Sequence, residues 1–261
     1  MNKKRVLRIA GGAILAVIVL TILVLLFGAN ALKPRIEAKA STALRMDVRI
    51  RGGVRVSFLP AFGASLADIS VKNGGADVAT IAKVKVALKL LPLLVGRIQI
   101  SRLELVKPVV TVVRQKDGTL NIEMPRGKPS GKRIALKKIA VSEGSLIYTD
   151  LRSGGNTEWE GIDITIMDLF AGGTPGGDTL KTLSLTGDIR CRAIKAGRFT
   201  LNDIEIKVTG AKGVCDIRPA GKQVLGGTGS GTLHADFTGN EPLFKIIFAV
   251  TKLKIEDLFQ E

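Results

Sequence analysis

Lys83-Val84-Lys85-Val86-Ala87-Leu88-Lys89-Leu90 places apolar residues at every second position and lysines between them. A β-strand projects successive side chains to opposite faces, so this pattern gives one apolar face and one basic face. Val84, Val86 and Leu88 share the apolar side. The rest of the chain after residue 47 extends the same reading. Upstream, Val48, Ile50, Val54, Val56 and Phe58 are spaced by polar or small residues, and Gly52-Gly53 breaks the alternation. That break predicts a turn or a bulge between two strand pieces. Downstream, Ile98 to Arg114 holds two strand-like runs, bent or joined at Pro108. Asp117-Gly118 marks a tight turn, and Leu120 and Ile122 begin a return strand. Between these pieces lies Leu91-Pro92-Leu93-Leu94-Val95-Gly96, which Pro92 bars from the middle of a sheet. It reads either as a short helix over one sheet face or as a loop that touches a membrane.

A short pattern recurs along the strands: apolar, two spacers, apolar, one spacer, apolar. Its copies are Leu66, Ile69, Val71; Ile100, Leu103, Leu105; Leu136, Ile139, Val141; Trp159, Ile162, Ile164; and Leu201, Ile204, Ile206. The two-residue gap shifts the alternation by one, as a β-bulge or bend at strand entry does. Side-by-side copies would join their apolar residues into one continuous face. An ordinary core under a second sheet or helix is one outcome. An open, curved groove lined by aliphatic side chains is the other. Such a lining suits acyl chains, which need burial but no directional contacts.

Composition agrees with a β-rich body. Aromatics make up only 4%, so apolar content rests on Val, Ile, Leu and Ala, and a platform for stacking bases is not expected. The net charge of +16 favours anionic partners such as lipid headgroups. The charges are spread along the chain rather than massed in one arm, which argues against nucleic acid.

The N-terminus has a different character. Lys3, Lys4, Arg5 and Arg8 lead a run from Ile9 to Leu32 without a charged residue. As a helix, that run would reach roughly 36 Å, against a hydrocarbon core of about 30 Å. The expected arrangement is a basic tail over 1–8 in the cytoplasm and a transmembrane helix over 9–32. Ala29-Asn30-Ala31 resembles a cleavage site, so an exported domain freed by cleavage is the competing arrangement. Pro34 to Met46 reads as a short helical stalk. An N-terminal β-rich unit with that stalk is expected over 33–123, a Pro, Gly and Lys-rich linker over 124–133, and a C-terminal β-rich repeat unit over 134–261. Gly172 to Gly177 is a second flexible loop. Gly226 to Gly231, GGTGSG, is a third, read as a turn or bulge because no G-K-[ST] or helix follows.

Catalytic chemistry is sparse. His234 is the only histidine, on a strand-like segment with no evident nucleophile elbow or acid partner. Asp68, Asp77, Asp163, Asp168 and Asp203 stand singly at strand edges or turns. Cys191 and Cys215 fit one disulfide or two buried thiols, and no zinc spacing exists. No enzyme, cofactor or metal is expected.

The order of these features resembles the AsmA-like family of bacterial envelope proteins. The resemblance runs from Leu32-Lys33-Pro34-Arg35 through Ser65-Leu66-Ala67-Asp68-Ile69-Ser70-Val71-Lys72-Asn73 and the run Ala87 to Ile100. It continues in Leu103-Glu104-Leu105-Val106-Lys107-Pro108, Asp117-Gly118-Thr119-Leu120-Asn121-Ile122, Gly226 to Leu233 and Lys252 to Phe259. Family members are usually longer, so a truncated member, a short paralogue or one segment of an assembly is expected. The resemblance implies a single-pass bacterial inner-membrane protein with a cytoplasmic N-terminus and a periplasmic bulk. It also implies a part in outer-membrane assembly, with phospholipid or another acyl-chain lipid moving along a β-groove. The expected fold is mainly β: an elongated, curved, mostly antiparallel sheet groove of repeated units with a few short helices. Expected groove-lining residues are Ile69, Val71, Val84, Val86, Leu88, Leu103, Leu105, Ile139, Val141, Ile162, Ile164, Ile204 and Ile206. A scaffold that binds another envelope protein without carrying lipid is the alternative, and a hydrolase is a third reading.

Overall fold

A computed structural model describes residues 33–57, 62–89, 92, 99–122, 133–172, 178–224, 227–239 and 241–252. The basic tail and the span over 9–32 lie outside them, as do Phe58 and the apolar stretch 91–96 apart from Pro92. The linker over 124–133 apart from Arg133, residues 173–177 and the ending after Lys252 also lie outside. No helix among the described residues is long and apolar enough to cross a membrane.

Helix α1 spans Lys33–Leu44. It stops two residues before the expected end, because Arg45 adopts a left-handed φ of 56°. The Met46 N–H then reaches back to the Ser41 carbonyl at 3.3 Å, which closes the helix as a glycine cap would.

Twelve strands follow: β1 (Asp47–Ile50), β2 (Val54–Ser57), β3 (Gly63–Asn73), β4 (Ala76–Leu88), β5 (Ile100–Arg114), β6 (Ile134–Asp150), β7 (Gly155–Ala171), β8 (Ser184–Ala196), β9 (Phe199–Ala211), β10 (Val214–Val224), β11 (Gly227–Asp236) and β12 (Leu243–Thr251). They build one open sheet in the order β1-β3-β4-β5-β6-β7-β8-β9-β10-β11-β12, with β2 also on β3. The fold is therefore mainly β, as the alternation predicts. A short 3-10 helix, Leu180–Thr182, precedes β8.

β1 and β2 lie end to end along one edge of β3, with Ile50 opposite Ile69 and Val54 opposite Leu66. Gly52 joins them, and a Cβ there would sit 2.6 Å from the Ala67 carbonyl oxygen, so only glycine fits this crossing. All pairings are antiparallel except β5 with β6, which is parallel from Arg102↔Lys138 to Arg114↔Asp150. A parallel neighbour needs a long connection back to the strand's start, and the segment 115–133 supplies it. The strands on either side of the Pro-rich linker thus adjoin within one sheet.

Two sequence expectations change. The return strand at Leu120 and Ile122 shrinks to one bridge, Arg114↔Leu120. β4 takes one edge of β5 as far as Val110, and β6 takes the other edge to Arg114. Only a wedge remains, in which Asn121 bonds Val113 and Thr111. Second, GGTGSG is mostly strand: Gly227, Gly229 and Gly231 belong to β11, and the register irregularity falls between Gly221 and Val224 of β10. The two strand-like runs are joined at Pro108 as read, in the single strand Ile100–Arg114, with Lys107 at φ 51° just before the proline.

Candidate functional site

Residues directly paired across a sheet share a face. One row of such pairs runs Val54–Leu66–Val84–Leu105–Val141–Ile164–Ile189–Ile206–Pro219. Beside it runs Ala64–Val86–Leu103–Ile139–Ile166–Gly187–Val208–Ile217–Leu233–Ile246. A third row links Ile50, Ile69, Ile81 and Pro108, and continues from Gly144 through Ile162, Cys191, Ile204 and Gly221. A fourth links Val48, Val71, Ala79, Val110, Leu146, Trp159, Ile194 and Leu201. Twelve of the thirteen sequence-predicted lining residues fall in these rows. Leu88 stands at the end of β4 opposite Ile100, past an irregular step. The repeat pattern misses Ile81, Ile166, Ile189, Val208, Ile217 and Leu233, although plain period-two alternation within their strands marks them.

A line of left-handed residues keeps the rows on one face in five strands, while β4 and β8 make the same three-residue step, Ile81 to Val84 and Cys191 to Ile194, without one. Asp68 on β3, Lys107 on β5, Glu143 on β6, Gly161 on β7 and Asp203 on β9 all have φ between 51° and 61°. Each flips the alternation once, so apolar residues three apart point the same way. In β3, Leu66 and Ile69 flank Asp68 and both pack into one cluster. In the copies starting at Leu66, Trp159 and Leu201 the left-handed residue is the second spacer, as the two-residue gap predicts. In the copies starting at Ile100 and Leu136 it lies further on, at Lys107 and Glu143. There the triads Leu105, Pro108, Val110 and Val141, Gly144, Leu146 straddle it, which corrects the placement of those two units. Pro and Gly at the middle position hid them from an apolar pattern. Lys107 and Glu143 form an ion pair at 3.1 Å on neighbouring strands, and the Glu143 N–H donates to Asp163 at 3.0 Å.

Among the described residues, α1 covers the apolar face at one end. Ile36, Ala40 and Met46 pack on Val48, Ile50, Val54, Leu66, Ile69 and Val71, and Ile69 is 5% exposed. From Leu103 and Leu105 onward the predicted lining residues are half-buried. Among the described residues there is no second sheet to cover them. Val84 is also half-buried, at the border of the two regions.

The opposite face carries the charge. Lys85 bonds Glu104 at 2.9 Å, Arg190 lies 3.8 Å from Glu205, and Asp188, Lys207 and Arg218 stand in one cross-strand row. Glu160 receives both Lys195 and Arg192. The Lys195 hydrogen bond holds the Glu160 carboxyl below the usual glutamate range, and the same bond raises the Lys195 ammonium.

His234 does have an acid neighbour: its Nδ1 lies 2.8 Å from Asp216 Oδ1 on the adjacent strand. Strand register fixes this pair, so the sequence distance between the two residues concealed it. Lys245 is opposite His234 on the other side. Cys191 and Cys215 are free and buried, and burial raises both thiols above the ordinary value. Among the described residues no cluster of His, Cys, Asp and Glu could hold a metal ion.

Fold and face together define a protein built as a single, open, two-sided sheet, apolar on one side and charged on the other. The pattern of the AsmA family matches residues 1–180, and the chain belongs to that envelope-associated family. No curated protein sequence and no solved structure matches it.

Proposed function

We propose that this chain is a non-enzymatic, membrane-anchored envelope protein that takes up acyl-chain lipid on its apolar sheet face and lets it move from strand to strand. The observation that carries this reading is the set of apolar rows running from strand to strand, half-buried from β5 onward. The path crosses about ten strand spacings beyond β1, roughly 48 Å at 4.8 Å each. Its aliphatic lining offers burial without fixed polar anchors, and each buried methylene is worth about 0.8 kcal/mol. Lipid can therefore bind without one preferred stopping point. The basic excess elsewhere suits anionic headgroups. Closure of the β1–β4 end by α1, next to the expected anchor, would set the start of the face at the bilayer.

The test is lipid carried through gentle detergent extraction and measured by mass spectrometry. The parent chain should hold phospholipid, and Leu105→Asp with Ile164→Asp should lose most of it while circular dichroism stays that of a sheet. Equal lipid in parent and variant, or none in either, defeats the reading and leaves the scaffold.

A further inference from the structure

The two ends of the sheet are finished differently. At the β1 end, the outward N–H groups of Val48 and Ile50 donate to Ser41 Oγ at 2.9 Å and Glu37 Oε1 at 2.6 Å, so α1 occupies that edge. At the other end β12 pairs with β11 from Asp236↔Leu243 to Thr228↔Thr251, and nothing among the described residues pairs with its outer edge. All nine of its residues are exposed, Leu243 at 68% and Ile246 at 71%. Proteins usually blunt a free edge by short length, charge, proline or a bulge. β12 has no proline and one charge, Lys245. It is also held in place: Phe244 meets Phe237 edge-on at 5.9 Å, and Phe248 lies over Gly231, where a Cβ would come within 2.7 Å of its ring. An exposed apolar edge strand of this kind is a template for another strand.

We propose that the strand it takes is β12 of a second copy, paired antiparallel about a twofold axis through Ile247. That register opposes Phe244 with Val250, Ile246 with Phe248, Lys245 with Ala249 and Leu243 with Thr251 of the other copy. Every residue on the apolar side then meets an apolar partner, and the one cation meets alanine. The two Lys245 groups are four residues apart along the strands, roughly 13 Å at 3.3 Å per residue. That exceeds the Debye length of about 8 Å at physiological salt. A one-residue slip would set the apolar side of one copy beside the charged side of the other. The self-complementary contact is what a closed twofold dimer needs. It joins both apolar faces into one sheet about 100 Å long by strand spacing, with an α1 at each far end. The pairing does not depend on lipid binding.

The experiment uses the full chain in mild detergent, with particle mass from light scattering and strand register from oxidative cross-linking. Two 27.7 kDa chains per particle are expected. Ile247→Cys should give a covalent dimer, because the axis places its two copies opposite one another. Leu243→Cys, whose partner is Thr251, should not. Ile246→Lys with Phe248→Lys sets like charges across the pair and should raise the dissociation constant at least tenfold. Ile246→Glu with Phe248→Lys makes opposite charges in the same register and should remain dimeric. The parent chain, whose native thiols are buried, is the blank. A monomer throughout, whether the edge stays bare or is filled by the chain's own last residues, overturns the proposal. So does a Leu243→Cys cross-link, a dimer that survives the double lysine, or a different protein captured at Ile247→Cys.

Discussion

Asp68, Lys107, Glu143 and Asp203 are L-residues in a conformation that favours glycine, and Gly161 holds the equivalent place on β7. A left-handed L-residue costs about 1–2 kcal/mol. Glycine removes that strain but gives back about 0.5–1 kcal/mol in chain entropy. Asp203→Gly should therefore raise stability by up to about 1 kcal/mol in urea titration. Gly161→Val should lower it by about 1–3 kcal/mol, since valine would keep the positive φ as strain. Its Cβ would also meet the Arg192 Cβ at 2.9 Å. If the two changes act alike, the flip is not what these positions supply. Glu160 makes a separate case at the same scale. Lys195 and Arg192 hold its folded carboxyl below the unfolded value, so its contribution is present above the ordinary glutamate range. It is lost as pH falls from that range through the lowered folded value. Glu160→Gln should flatten this part of the acid limb in denaturation midpoints taken at successive pH values. An unchanged limb would remove the ion pair from the account. The Asp or Gly inside three of the repeat's gaps was legible in sequence as a break in alternation. Its left-handed φ was not, because aspartate serves equally in ordinary turns.

Strands differ in how much they are covered, and truncation should report it. Ile69 is buried under α1, so Ile69→Ala should cost about 2–4 kcal/mol, as core deletions do. Ile164 occupies a neighbouring row on β7 but is half-buried, and Ile164→Ala should cost clearly less, on the order of 1 kcal/mol. Equal losses in guanidinium titration would mean that a layer covers β7 as α1 covers β3. Strand identity was largely legible: period two marks β4, and Gly52-Gly53 separates β1 from β2. Strand partnership was less so. Leu120 and Ile122 have strand chemistry but little edge to join, because β4 and β6 flank β5 and leave only the wedge where Leu120 bridges Arg114. GGTGSG has turn chemistry, but its glycines serve in β11, where Phe248 of β12 needs the space over Gly231.

At the scale of the molecule, the described residues place the buried hydrophobic cluster at the α1 end of the sheet. The sheet is one layer with two chemically different faces. Loss of bound lipid is read at Leu105 and Ile164, in the middle of the apolar face, and the dimer is read by cross-linking at Ile247, on the opposite side of β12, so the two outcomes are separable. Family membership supports an envelope role, and the apolar rows supply the physical means proposed for it. The sequence by itself determined the β-rich class, the two-faced alternation and the family. Those are local properties: side-chain chemistry and a period of two are written residue by residue. Only the tertiary structure decided that strands on both sides of the Pro-rich linker join one sheet through a parallel pair. It alone decided that Asp216 meets His234, that α1 closes one edge and that β12 is the last described strand at the other. Each of these depends on which distant strands share hydrogen bonds, and register between distant strands is not carried by any single segment.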